Sequence, residues 1–449
     1  MKNDILTLTV TDVGSEGEGI AKREDGYTLF VPGAVLGDRA EILVLKENKS
    51  YGYGKLVNIV EPSPRRVEPV CPAFGKCGGC TMMSSDYELQ LGIKTRRVID
   101  ALERIGGIES PNVAGCVGSE PNLGYRNKAQ YPVTVKDGRL AAGFFAPHSH
   151  RVVPTRDCAL QKPVITKIVN YVVDEASRLG ISAYDEESGR GCLRHIYVRA
   201  GESEAMLVLV VAYDDKKLSL LGEKAAAAFP EIKGVVLNLN PKRTNLILGD
   251  RQKILSGRDY MIDKIGSVAY KIHYKSFYQV NPDTTKKLYD KAAEYCALTG
   301  EETVFDLYCG AGTIGLYLAE RAKKVIGVEI VPEAVDNARE NAEINGIVNA
   351  EFHCGAAEEV CPKLIEKGER ADVVVLDPPR KGCEESLLRA AAGMEPERIV
   401  YVSCNSATFA RDCKLLAELG YELKKVTPFD QFPHTAHVEC VGLLSRVKG

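Results

Sequence analysis

The chain has no run of 18 apolar residues, and its start, "MKNDILTLTV", carries charges but no long apolar stretch and no small-residue cleavage site. Neither a membrane span nor a secretory signal is therefore expected. No internal repeat and no low-complexity segment breaks the sequence, which argues against a solenoid or a disordered tract. Charge of one sign is also lacking, since the net charge is only −3. A soluble, cytoplasmic protein, monomeric by default, is the expectation.

Cysteine is abundant, with fourteen in 449 residues. In a chain of this size and expected compartment that number argues against a disulfide framework and for thiols used as ligands, nucleophiles or small apolar fillers. The length exceeds what one core usually serves, so two or three domains are expected. The small net charge hides an asymmetry: residues 271–449 carry 22 basic and 28 acidic side chains, against 36 and 33 in residues 1–270. A polyanion, if one binds, is more favourably placed across the N-terminal part.

Three segments follow. Residues 1–61 read as five short strands broken by glycine-containing turns, the pattern of a small OB-type barrel and a frequent oligonucleotide binder. Prolines in "EPSPRRVEP" mark a linker. Residues 62–270 are mixed α and β, with a helix-like "DYELQLGIKTRRVIDALERIGG" and strand-rich "LRHIYVRA", "AMLVLVVAY" and "GVVLNLN". Basic residues interleave with aromatics in "GYRNKAQYPV", which suits phosphate contact and base stacking; a solvated sheet surface explains the pattern equally simply. Residues 271–449 alternate strand and helix, which implies an α/β, doubly wound, Rossmann-like parallel sheet.

Gly310, Gly312 and Gly315 in "DLYCGAGTIG" match G-x-G-x-x-G between a strand and a helix, a weak signal that also admits a dinucleotide. Asp306 stands just before the loop, where a carboxylate suits an amino group and repels a pyrophosphate; a helix or turn cap is its plainer role. Glu329 ends the next strand, placed to accept from ribose hydroxyls unless it is a solvated strand end. Asp377 in "VVVLDPPR" opens a stiff loop at the carboxyl edge. Together these favour S-adenosylmethionine.

Cys404 in "IVYVSCNSATFARD" ends a strand and precedes a helix whose N-terminus can stabilise a thiolate. In open α/β sheets ligands bind outside the carboxyl ends of the strands, so the sulfur is expected over the same pocket as Asp377. If the last strand runs antiparallel, Glu439 in "HTAHVEC" comes near Cys404, as a general base or as an ion-pair partner of an arginine. A thiolate that adds to pyrimidine C6 makes C5 nucleophilic, and a base then removes the C5 proton.

"SFYQVN", "DLYCGAGTIG", "DPPRKG", "YVSCN" and "FPHTAHVE", in that order, resemble the RNA uracil-C5 methyltransferase family, and the N-terminal pattern resembles a TRAM domain. The resemblance extends over nearly the whole chain. It implies a class I methyltransferase domain over 271–449, a TRAM barrel over 1–61 and a central domain over 62–270. It implies Cys404 as nucleophile and Glu439 as base, with donor contacts from Gln279, Tyr308, Glu329 and Asp377, beside Asp306, Gly310 and Gly312. "GAGTIGL" departs from the family's frequent "GxGNFxL", which leaves Thr313 without an inherited role. Cys71, Cys77, Cys80 and Cys158 resemble the four ligands of a [4Fe-4S] cluster in the members that act on 23S ribosomal RNA; read from spacing alone, zinc is the alternative. RNA, ribosomal RNA first, is the implied partner. A cytosine-C5 enzyme, a radical enzyme and a catalytically silent RNA binder are the rivals.

Overall fold

The computed structural model describes residues 3–447. Positions 1–2 and 448–449, the outer ends of the first and third expected segments, lie outside the described residues.

β1 (Ile5–Val13), β2 (Gly19–Lys22), β3 (Thr28–Val31), β4 (Arg39–Glu47) and β5 (Tyr51–Glu61) close into a barrel in the order β1-β2-β3-β5-β4. Alternation decides which side chains fill it: Val10, Ala21, Leu29, Val31, Ala40, Ile42 and Val44 point inward and are buried. The barrel is so narrow at β5 that a Cβ on Gly54 would come within 2.3 Å of the Ile42 side chain.

α1 (Tyr87–Arg104) starts at Asp86, whose carboxylate accepts from the Leu89 N–H. Its apolar face, with Val98, Ala101 and Leu102, packs into the core of the third segment rather than its own. The central sheet comes next, built from β6 (Lys128–Lys136), β7 (Arg139–Phe145), β8 (Val152–Pro154), β9 (Leu193–Ala200), β10 (Ala205–Val211), β11 (Ile232–Leu239) and β12 (Arg251–Gly257), in the order β12-β11-β10-β9-β6-β7-β8. α2 (Pro163–Arg178) and α3 (Lys216–Ala228) cover one face, burying Val198, Leu207 and Leu209. The other face presents Tyr197, Met206, Val208 and Val210 to a core shared with the third segment. That double burial explains why "AMLVLVV" is apolar throughout.

The hairpin β13 (Tyr260–Ile265) and β14 (Val268–His273) bridges the two halves, and the 270/271 position lies inside it. The third segment holds α4 (Pro282–Cys296), β15 (Thr303–Leu307), α5 (Thr313–Ala319), β16 (Lys324–Glu329), α6 (Pro332–Ile344), β17 (Ala350–Cys354), α7 (Ala357–Glu366), β18 (Val373–Leu376), α8 (Glu385–Gly393), β19 (Arg398–Ser403), α9 (Ser406–Glu418), β20 (Tyr421–Phe429) and β21 (Glu439–Arg446). Its sheet runs β17-β16-β15-β18-β19-β21-β20, with β15 to β19 parallel and β21 antiparallel to both neighbours. The order reverses between β15 and β18, which opens the crevice where ligands bind in such sheets. Among the described residues no helix is long and apolar enough to cross a membrane.

Candidate functional site

The carboxyl ends of β15, β16, β18 and β19 and the start of β21 meet at one edge. In the β19–β21 ladder Ser403 faces Cys440, so Cys404 and Glu439 each lie one residue beyond the last pair, on adjacent antiparallel chains. Glu439 is buried, at 3% exposure, at the mouth of its strand. Burial, then repulsion from Asp377, outweighs Arg380 and pushes its carboxyl up to about 8. Burial first, then Glu439 and Asp377, raises the Cys404 thiol to about 11, with Arg380 opposing. Asn405 caps α9 directly after the thiol, its Oδ1 accepting from the Ala407 N–H at 3.0 Å. The Asn405 Nδ2 donates to the Arg380 carbonyl at 3.1 Å, tying the Cys404 turn to the Asp377-Pro-Pro loop.

Asp306 is buried under the glycine loop and accepts from the Gly315 N–H at 2.8 Å through Oδ2, so the capping role is realised. Gly315 is required there, because a Cβ would stand 2.8 Å from that oxygen. Asp306 Oδ1 is buried without a partner. Burial, then Asp377 and Glu329, pushes this carboxyl up to about 8 against the Gly315 hydrogen bond, and burial pushes Asp377 up to about 7. Glu329 accepts from the Gly310 N–H at 3.1 Å and the Val331 N–H at 2.9 Å, joining the glycine loop to the next strand end. Gly310 and Gly312 adopt φ of 53° and 75°, the left-handed region a loop of this curvature needs. Tyr308 shares that conformation (φ 66°), but its ring packs in the α7–α9 layer and its hydroxyl meets the Glu384 N–H. Gln279 is buried, and its Oε1 accepts from Gln431 Nε2 at 3.2 Å. Thr313 accepts from the Tyr289 hydroxyl at 3.0 Å.

Three participants escaped the sequence reading. Arg380, inside the quoted "DPPRKG", is the cation nearest the Cys404–Glu439 pair in its electrostatic effect. Tyr289 of α4, buried, is acted on electrostatically by Asp377, Asp306 and Glu439, and nothing local marks it. The third is a lock on the loop before Glu439: Lys94 of α1 and Asp430 form a fully buried ion pair, and Lys94 also donates to the Phe432 carbonyl at 3.1 Å. Beside it Gln90 Oε1 accepts from the His434 N–H at 2.9 Å.

Cys71, Cys77, Cys80 and Cys158 line one cavity of about 270 Å³, together with Arg126 and Lys128. Burial and mutual repulsion raise the Cys80 thiol far above its ordinary value. Burial, then Arg199 and Arg126, lowers Lys128 to about 8. As they stand, however, no group of three or more His, Cys, Asp or Glu among the described residues, these four included, is placed to hold a metal ion. The expected ligand set is therefore convergent on one cavity without forming a closed shell. The next residues, Thr81 and Met82, donate their N–H groups to the His434 carbonyl at 3.0 and 3.1 Å.

Residues 243–447 match the family model described as tRNA (Uracil-5-)-methyltransferase, and residues 1–57 match that of the TRAM domain. An uncharacterized RNA methyltransferase of Halalkalibacterium halodurans is 48% identical over 447 residues, covering 99% of this chain and 97% of its own length. One from Clostridium tetani is 46% identical over 447 residues with the same coverages. Among solved structures, Pyrococcus abyssi tRNA (uracil-54, C5)-methyltransferase in complex with S-adenosyl-L-homocysteine superposes with a TM-score of 0.79 at 28% identity, covering 98% of this chain and all of that one. With its doubly wound sheet, its N-terminal closed barrel and these full-length likenesses, the chain belongs to the RNA uracil-5-methyltransferase family.

Proposed function

We propose that this chain methylates C5 of uracil in 23S ribosomal RNA through a covalent bond from Cys404 to C6. The observation that carries the reading is the adjacency of Cys404 and Glu439 at the carboxyl edge of the sheet, in register with the Ser403–Cys440 pair.

The donor pocket suits a cation. Asp377 and Glu329 both act on the buried Asp306, whose Oδ1 lacks a partner. A pyrophosphate would add repulsion, whereas the sulfonium and ammonium groups of S-adenosylmethionine relieve it. Gln279, Asp306, Tyr308, Gly310, Gly312, Glu329 and Asp377 are the residues proposed to hold it, Tyr308 and Gly312 by shaping the loop. When bound, it supplies an electrophilic methyl group on sulfur.

The Cys404 thiol passes its proton to water and Sγ bonds to C6, moving the π pair of the C5=C6 double bond into an enolate. C5 takes the methyl group as the S–CH₃ bond breaks. Glu439, ionised, then accepts the C5 proton; the C5–H electrons re-form the double bond and expel Sγ. Arg380 opposes the upward shift of both groups and so favours their charged forms.

The barrel (1–61) and central segment (62–270) are proposed to hold RNA, with 271–449 performing the transfer. Cys71, Cys77, Cys80 and Cys158 are proposed ligands of a [4Fe-4S] cluster. A cavity of about 270 Å³ exceeds what a lone ion fills, and Arg126 and Lys128 on its wall suit a group with thiolate charge. A second reading, a transfer RNA substrate, is favoured by one observation: a chain named for a tRNA target superposes over 98% of this one.

The deciding experiment incubates the protein with labelled S-adenosylmethionine and ribosomal or transfer RNA. Cys404→Ala should abolish 5-methyluridine, and Glu439→Gln should trap a protein–RNA adduct that survives denaturing electrophoresis. Label in methylcytidine, or unchanged turnover in both variants, defeats the proposal; label in tRNA alone selects the second reading.

A further inference from the structure

We propose that the outer face of the barrel at Phe30, Tyr51 and Tyr53 is a stacking platform for an unpaired stretch of the same RNA strand that carries the target uracil. The inference deepens the proposed function and rests on it only for the identity of the strand.

β3 and β5 run parallel, with Thr28 opposite Tyr51 and Phe30 opposite Tyr53. Tyr51 and Tyr53 alternate with the inward Gly52 and Gly54, so both rings project outward, 39% and 42% exposed. The three rings touch one another, with centroids 5.8 Å apart for Phe30–Tyr51 and Tyr51–Tyr53 and 6.0 Å for Phe30–Tyr53. Three contiguous aromatics on a barrel exterior add nothing to its core, which lies on the other side of the strands.

Lysines frame the rings. Lys22 lies opposite Thr28 across β2–β3, Lys46 opposite Tyr53 across β4–β5, and Lys55 two residues beyond Tyr53 on the same face. All three are exposed, and none forms an ion pair among the described residues. Exposed rings flanked by uncommitted ammonium groups match bases on rings and phosphates on charges; the bases must be unpaired, because a duplex hides their faces.

The platform is also joined to the cleft. Glu18, beside the barrel's first turn, acts electrostatically on both Tyr53 and Arg97. Arg97 donates to the Gly14 carbonyl at 2.7 Å and to the Ala436 carbonyl, three residues before Glu439.

The test uses the full-length protein and a fluorescein-labelled RNA of about 12 nucleotides, single-stranded or as a duplex. Tyr51→Ala with Tyr53→Ala should weaken single-strand binding roughly 5- to 100-fold while the slope of log affinity against log salt stays unchanged. Lys22→Gln or Lys55→Gln should instead reduce that slope by about 0.7 each. Wild-type protein irradiated with 5-iodouridine-substituted RNA should yield cross-links at Tyr51 or Tyr53, a readout that needs no variant to fold. Unchanged affinity in the double variant, or cross-links confined to other surfaces, overturns the platform. A protein that cross-links there but methylates no uracil keeps the platform and loses the proposed function; one that methylates uracil yet gives neither result does the reverse.

Discussion

At the scale of single residues, the two proposed catalytic groups sit in their protonated forms near neutrality, Cys404 raised to about 11 and Glu439 to about 8. Both must lose a proton to act, so single-turnover release of 5-methyluridine should rise with pH with an inflection near 8, whereas accumulation of the trapped adduct in Glu439→Gln should show no inflection there. The same shift has a stability consequence. A carboxyl whose folded value is raised favours the unfolded, ionised chain progressively from about pH 4.3 until the folded value is passed. Glu439→Gln should therefore melt higher than wild type at about pH 8, by a few kcal/mol of unfolding free energy, and the gap should shrink as the pH falls towards 4. A thermal melt series checks it. Asp306 and Asp377 add a third expectation: a cationic donor displaces protons from carboxyls raised to about 8 and about 7, so its binding heat at neutral pH should vary with the buffer's ionisation enthalpy.

At the scale of elements, strand and glycine-loop positions were legible because apolar runs, turn residues and motif spacing are local signals. The closing strand expected to begin near Glu439 is present as β21 and runs antiparallel to β19. What escaped was set by distant partners. β20 was missed, since "YELKKVTPF" alternates weakly and is a strand only because β21 pairs with it. Nothing local marks Lys94 within its helix-like segment, yet its ammonium is buried against a carboxylate 336 positions away. The surroundings of the Cys404 thiol are likewise set by distant partners: burial, Glu439 and Asp377, invisible in sequence, push it up. Lys94→Met should cost about 3–5 kcal/mol, because Asp430 is left buried and unpaired, and Lys94→Met with Asp430→Leu should recover most of it. Urea unfolding of the three proteins measures both outcomes.

At the scale of the whole molecule, the cysteine cavity and the loop before Glu439 are one mechanical unit, because Thr81 and Met82 hold the His434 carbonyl. Cys80→Ser should raise hydrogen exchange in residues 430–438, and an unchanged exchange pattern would separate the two regions. The central sheet adds a larger constraint. Its face with Tyr197, Met206, Val208 and Val210 shares its core with Met261, Tyr270 and Ile272 of the β13–β14 hairpin and with side chains from α4, α5 and α6, all encoded about fifty or more residues later. During synthesis that greasy surface leaves the ribosome well before its cover exists. A nascent chain halted near residue 260 should thus recruit holdase chaperones, and a truncated gene ending there should yield insoluble product.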